Sequence, residues 1–538
     1  MGFSQTIVRN TVATYVRYTV VILVQFVTFP YMLNTLGDTA YGIYGLFWAV
    51  ACYLILLDMG MSSAVVKYVA RCRIVEDWKS LNKTISTIFV IYLFFGIIAI
   101  LLCAVIIVIL PVFHNFRELT PDWLAHARLA FMMIGLNVFM LLTLSIFRSI
   151  LVGAQRLDLV NLGEATIQVL YGVSIFVLVR KSQTPPQNLL IATSTFTVAT
   201  LLTSISYIVM MLRAFPQARI SLRLFDRSQL RELFSFSAAA LMLRVAIMFI
   251  YGSDQVVLGI FAVFATVAIY QIAVRISDML RTFVSTTSTI FEPIVSELHS
   301  AQRNEDLRNL FLLFTKMCFS IGLPIVMLGI IFGQPFIVAW TGKTNETIPW
   351  ALAVLLVVAL FDLTQISASR VLLMTEKHWY QTKVWVIGSL AFLTVSVIIA
   401  NVVPAGQNDA KMMGLALNKF ICLVVLFCII MSYTFSHVAT QWRAFFVKCV
   451  LPVVTAAVPA ALVAIALRLF DYPLVYYMQD GERRVQRVRS LLNMTWQGCV
   501  VGAVYLAAWW FIALTSVERG KFKNVISAFL QKFRGASA

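Results

Sequence analysis

Charge is scarce in this sequence. Asp, Glu, Lys and Arg make up 12% of its 538 residues, against about 25% in a typical soluble chain. Hydrophobic residues make up 60%, and the mean hydropathy is +0.88. These values exclude a soluble globular enzyme, and equally a disordered chain, which needs low hydrophobicity. Acidic residues are scarcer than basic ones, 24 against 42, for a formal net charge of +18. In a soluble protein that excess would point to nucleic acid. Here most basic residues fall between apolar runs, so the expected partner is a lipid bilayer with anionic headgroups, and no nucleic acid. Paired cysteines are missing. None of Cys52, Cys72, Cys103, Cys318, Cys422, Cys428, Cys449 and Cys499 forms a CxxC. Most lie in apolar runs, which favours packing over a disulfide framework or a zinc site. The five histidines are scattered. There is no GxSxG, no HExxH and no dinucleotide fingerprint. Thr341-Gly342-Lys343-Thr344 resembles the end of a phosphate-binding loop, but Ile337 stands where its first glycine belongs. The expectation is a protein with no catalytic residues, metal or cofactor, whose polar groups bind and move a ligand.

Long apolar runs are what the sequence does have. They fall near 11–33, 40–64, 84–112, 124–149, 159–180, 188–212, 233–252, 256–296, 308–333, 347–374, 382–403, 412–437, 445–470 and 492–515. Each reaches the roughly 20 residues of a membrane span. Fourteen spans fill the chain and leave no room for an ATPase domain of its own. Polar clusters at Gly37-Asp38, Thr184 to Gln187, Gly252-Ser253-Asp254 and Pro404 to Gln407 are candidate breaks between spans. The first run is full length and lacks a small-residue cleavage site, so no cleavable signal peptide is expected. Met1-Gly2 with Thr6 fits a myristoylation pattern, which is read as chance in a polytopic chain.

Loop charges set the orientation. With the N-terminus inside, inner loops carry Lys67, Arg71, Arg73, Lys79 and Lys83, then Arg148 and Arg156, then Arg213 to Arg231, and further basic residues beyond. Outer loops carry fewer, so both termini are expected in the cytoplasm. The loop with Arg483, Arg484, Arg487 and Arg489 disagrees, being basic on the outer side. The basic loop 213–231 divides the chain into lobes at 1–212 and 232–440, followed by two further helices at 441–517 and a tail at 518–538. Each lobe opens with a span-embedded arginine, Arg17 or Arg244, followed by Leu-Gly and then a tyrosine, Tyr44 or Tyr270, a weak parallel repeat. In the tail, Phe522, Val525, Ile526, Phe529, Leu530 and Phe533 share one helical face, which predicts an amphipathic helix on the membrane surface.

Charges inside spans are the candidate functional residues. A charge at the bilayer centre costs about 2.5–3.5 kcal/mol on insertion scales, so it must face a cavity or a partner. Arg275, Asp278 and Arg281 are three apart and can neutralise one another along one helix. Arg17 and Arg244 have no acidic residue within four positions. They are assigned to anion binding, with pairing across helices to Asp362 or Glu164 as the structural alternative. Arg275, Arg281 and Lys419 complete the substrate-binding candidates. Asp278 and Asp362 are candidates for ion coupling or charge pairing, with proton, sodium and membrane potential all left open as drivers. Arginine suits phosphate because its planar fork stays charged and binds two oxygens at once.

Several segments together carry a resemblance. They are Phe29-Pro30-Tyr31 with Leu36-Gly37, Ala40-Tyr41-Gly42-Ile43-Tyr44, Leu57 to Ala64, and Tyr68-Val69-Ala70. Later come Leu151 to Arg156 leading to Asn161, Asp254 with Leu258-Gly259, Tyr270 and Arg275, Pro293 to Leu298, and Trp340-Thr341-Gly342. In order and spacing these resemble the polysaccharide transporter family over roughly residues 1–440. These are Wzx-type lipid-linked oligosaccharide flippases of the multidrug/oligosaccharidyl-lipid/polysaccharide exporter superfamily. The resemblance implies an all-α membrane bundle of two six-helix lobes plus two C-terminal helices, working by alternating access. It implies an undecaprenyl-diphosphate-linked oligosaccharide as cargo, moved across a bacterial inner membrane in polysaccharide biosynthesis, alongside glycosyltransferases and a polymerase. A lipid II flippase, a multidrug cation antiporter of the same fold and a membrane-embedded glycosyltransferase or polymerase are the competing readings. The buried arginines weigh against a cation carrier, and the short outer loops against an enzyme.

Overall fold

The computed structural model describes residues 3–75, 77–285, 288–404, 406–479 and 482–520. Helices dominate throughout. In chain order they are α1 (Phe3–Ile55), α2 (Met61–Val75), α3 (Trp78–Ile109), α4 (His114–Arg117), α5 (Pro121–Gly153), α6 (Leu157–Leu178) and α7 (Pro185–Ala214). Then follow α8 (Leu230–Phe261), α9 (Phe264–Ser285), α10 (Ser288–Ser300), α11 (Asn304–Thr341), α12 (Thr347–Met374) and α13 (His378–Val402). The last are α14 (Asn408–His437), α15 (Trp442–Phe445), α16 (Leu451–Phe470) and α17 (Arg487–Ala508). Strands β1 (Tyr476–Gln479) and β2 (Glu482–Val485) form one antiparallel hairpin between α16 and α17.

Twelve of the described helical stretches are long and apolar enough to cross a membrane. The first runs 46 residues, Ala13–Asp58, about 69 Å at 1.5 Å per residue and more than twice the roughly 30 Å hydrocarbon core. It holds two crossings, divided at Gly37, whose φ of 79° and ψ of 167° leave the helical region. The α9–α10 stretch is kept out of the twelve by its charges. With these two added, each of the fourteen expected apolar runs has a helical counterpart among the described residues, and the chain is a multi-pass membrane protein.

Local signals explain several boundaries. Thr184 and Gln187 form a reciprocal capping box with Pro185 in the first turn, which starts α7 at the expected break. Pro121 opens α5 in the same way. The Asp77 carboxylate accepts the Ser80 N–H at 3.0 Å and caps α3. The Gly252-Ser253-Asp254 cluster breaks nothing, contrary to expectation. α8 runs through it and ends at Phe261. Asp254 is fully buried and accepts the Tyr270 hydroxyl, so its polarity is satisfied inside the fold and needs no loop. The chain turns at Ala262–Val263 instead, where Lys411 Nζ donates to the Phe261 carbonyl at 2.6 Å.

Contacts divide the chain into two units, 1–271 with 382–418, and 272–381 with 419–538. The boundary at 271/272 falls within α9. In the first unit the core includes Phe47, Tyr92, Phe131, Ile85 and Ile88, all fully buried. Gly42 lies directly on the Phe264 backbone carbonyl, so the second half of α1 approaches α9 more closely than any side chain at 42 would allow. In the second unit Ala457, Ala460 and Ala464 make a small-residue stripe on α16 packed with Phe332, Val501 and Tyr505. The Tyr505 hydroxyl donates to the Ser320 carbonyl at 2.7 Å. Arg487 donates from Nε to the Ala339 carbonyl at 3.0 Å and from its terminal nitrogen to Trp340. It caps the C-terminal end of α11, where Gly342 turns left-handed. That capping accounts for one of the arginines in the loop that contradicted the charge pattern. The side chains of Arg483 and Arg484 lie outside the described residues. So does the amphipathic tail from residue 521 onward.

Candidate functional site

Four helices of the first unit, α1, α5, α6 and α7, build the site. Glu164 stands two turns into α6, facing α1 and α5. One of its oxygens pairs with Arg17 on α1, and the other accepts Arg148 Nε on α5 at 2.8 Å. Two guanidinium groups therefore share one carboxylate, leaving one positive charge uncompensated within the cluster. The Arg17 guanidinium sits 4.1 Å over the Tyr18 ring. Its Nε has no hydrogen-bond partner, so Glu164 does not exhaust the fork. Arg17 and Glu164 side chains are 15% and 24% exposed, while Arg148 is 44% exposed. The cluster lines a cavity of about 360 Å³ whose polar wall includes Ser145, Thr200, Thr203, Ser204 and Tyr207.

The remaining expected residues fall into other clusters. On α8, Arg244 is half exposed and pairs at 3.5 Å with Asp58. Asp58 also accepts the Ser62 hydroxyl at 2.7 Å and the Tyr92 hydroxyl. In the second unit Arg281 bridges Asp362 at 2.9 Å and Asp278 at 3.4 Å. Asp278 and Asp362 are thereby joined through one guanidinium. Arg370 pairs with Glu292 at 2.6 Å. Arg275 is half-buried on α9, and Lys419 on α14 is 3% exposed. Among the described residues no group of three His, Cys, Asp or Glu lies where it could hold a metal.

Arg17 and Arg244 both pair with carboxylates outside their own helices, Glu164 and Asp58 respectively. Asp362 belongs to Arg281 instead. Arg148 is the residue that sequence reasoning did not assign to the site. It reads as an inner-loop charge, but it lies inside α5, five positions before the helix ends at Gly153. Only its pairing with Glu164, sixteen residues on, marks it, and a sixteen-residue spacing across a turn is no helical signal. Tyr207 was missed for the same reason. It is buried on α7, its hydroxyl donating to the Val160 carbonyl at 3.4 Å.

Solved structures share this fold at low identity. A lipid II flippase, MurJ, in an inward closed conformation matches with a TM-score of 0.64 and 15% identity, over 92% of this chain and 98% of its own. An inward-facing multidrug resistance MATE family transporter matches at 0.62 and 16%, over 78% of this chain and 95% of its own. A multidrug/oligosaccharidyl-lipid/polysaccharide superfamily transporter from Pyrococcus furiosus, described as having a binding pocket of reverse polarity, matches at 0.55 and 15%, over 81% and 96%. No curated protein sequence matches. At these identities the structures establish the fold, the all-α bundle of that superfamily. The model of the polysaccharide biosynthesis protein family matches residues 7–299, more than half of the chain, and the protein therefore belongs to the polysaccharide biosynthesis protein family.

Proposed function

We propose that this membrane transporter is a flippase for an undecaprenyl-diphosphate-linked oligosaccharide, carrying it across a bacterial inner membrane by alternating access. The observation that supports the reading is the two-to-one ratio of Arg17 and Arg148 to Glu164 on a cavity wall. A lone guanidinium pair without acceptors would be costly in a bilayer, and Glu164 holds it until an anion arrives. A diphosphate offers two charged groups, each able to take a guanidinium fork. The serine and threonine hydroxyls beside the arginines supply further donors. A carrier of cations would need the opposite ratio. Asp278 and Asp362, joined through Arg281, are the candidates for coupling to an ion gradient, since protonating either would release Arg281 from one partner. No nucleotide is required in this scheme.

Purified protein in proteoliposomes tests the proposal, with flipping of a fluorescent diphospholipid-oligosaccharide as the readout. Arg17→Ala and Arg148→Ala, with folding controlled, should each weaken apparent affinity about 10–100-fold, from charge-assisted bonds worth about 1.5–3 kcal/mol. A neutral glycolipid without diphosphate should not be flipped. Unchanged flipping in the Arg17→Ala, Arg148→Ala double variant would end the proposal. Faster turnover of lipid II than of a polysaccharide-repeat lipid would move the cargo to peptidoglycan precursor.

A further inference from the structure

A second cavity of about 510 Å³ lies along α6 and α7 in the first unit. Its lining is mostly apolar, with Leu170, Leu178, Val198 and Leu202 exposed on it and only Ser174, Ser194 and a few other polar groups interspersed. Ile167, Tyr171 and Ala199 line both this cavity and the one holding Arg17, Arg148 and Glu164, so the two adjoin. One end of the combined space carries uncompensated positive charge, and the other is apolar. Both volumes lie within the roughly 300–1,000 Å³ of small-molecule sites.

We infer that the α6–α7 groove holds the isoprenoid tail of an anionic lipid whose phosphate sits on Arg17 and Arg148. The inference rests on the diphosphate reading above and adds where the hydrocarbon goes. The polarity order along the joined cavities matches the order of groups in such a lipid. Charge complementarity selects the head end, and continuity through Tyr171 and Ala199 places the tail beside it. Short hydroxyl side chains at 174 and 194 leave room between α6 and α7 that larger residues would fill. The hydroxyls of helical serines can bond to their own preceding turn, so they do not deny the groove to hydrocarbon.

Binding in phosphatidylcholine nanodiscs to two probes, undecaprenyl diphosphate and inorganic diphosphate, tests this. Ser174→Trp with Ser194→Trp should weaken undecaprenyl diphosphate at least about tenfold, equivalent to about 1.4 kcal/mol, while inorganic diphosphate binds within twofold of wild type. Arg17→Ala should weaken both probes. Should the tryptophan variants fold poorly, the unaltered protein serves instead. An undecaprenyl diphosphate carrying a diazirine in its tail should crosslink to residues in 157–178 and 185–214, located by mass spectrometry. Tail crosslinks found only outside those two ranges, with inorganic diphosphate still bound, would overturn the groove and leave the diphosphate reading standing. Absence of diphosphate binding by the unaltered protein would overturn both.

Discussion

At the scale of single residues the arginines divide by the carboxylate they hold. Arg17 and Arg148 share Glu164, whereas Arg244 sits on Asp58. Residues on one partner couple energetically, and residues on separate partners do not. A double-mutant cycle on substrate affinity should therefore find Arg17→Ala and Arg148→Ala non-additive by about 0.5 kcal/mol or more. The same cycle on Arg17 and Arg244 tests whether both reach one diphosphate. Coupling would put them on the same anion, and additivity would leave Arg244 with Asp58. Lysine at 17 should rescue only in part, because it keeps the charge and loses the fork. A second residue pair belongs to the second unit. Lys316, 3% exposed on α11, is held at 2.8 Å by Glu518, just beyond the last span. Burial alone would raise the Glu518 carboxyl, but Lys316 and the Thr515 backbone N–H and hydroxyl hold it below the usual carboxylate range. A lowered folded-state value means stability that is present above the unfolded value near 4.3 and lost as pH falls through the folded value. Thermal unfolding in detergent should accordingly show Glu518→Gln destabilised by roughly 1–3 kcal/mol, less than the 3–5 of a fully buried pair. Lys316→Met in the same background should recover much of that, since the buried ammonium is gone. Equal stability of Glu518→Gln and wild type at neutral pH would show that the pair contributes nothing.

At the scale of elements, close approach matters more than helix propensity. A Cβ at Gly42 would fall on the Phe264 carbonyl, which is backbone and cannot swing away. Gly42→Ala should raise intrinsic helix propensity and still destabilise, by about 1–3 kcal/mol from forced displacement of α1 from α9. A rise in melting temperature would instead mean that the two helices part without cost. Both outcomes are read by thermal unfolding of the purified protein. The uninterrupted course of α8 through Gly252-Ser253-Asp254 makes a related point. Polar residues in a sequence look like a loop until a partner such as Tyr270 is known. Boundaries that depend on neighbours in sequence, such as the Thr184 cap or the Gly37 break, were readable. The α8 boundary depends on a residue sixteen positions away and was not.

At the scale of the whole molecule the open question of orientation is direct to measure. With both termini in the cytoplasm, a single cysteine at 118 should react with a membrane-impermeant maleimide in intact cells, and one at 226 should not. Reaction at 226 from outside would reverse the orientation drawn from the loop charges. The sequence by itself determined that the chain is a membrane bundle, because hydrocarbon admits only segments that satisfy their own backbone, and such segments announce themselves by length and apolarity. It also determined that charges buried in those segments would be few and worth attention, Arg17 among them. Which carboxylate each arginine meets was decided by the tertiary structure. Glu164 lies 147 residues from Arg17 and Asp58 lies 186 from Arg244. No periodicity along the chain carries information over such distances. The packing of α1 with α5, α6 and α7 alone brings two guanidinium groups to one carboxylate and sets an apolar groove beside them.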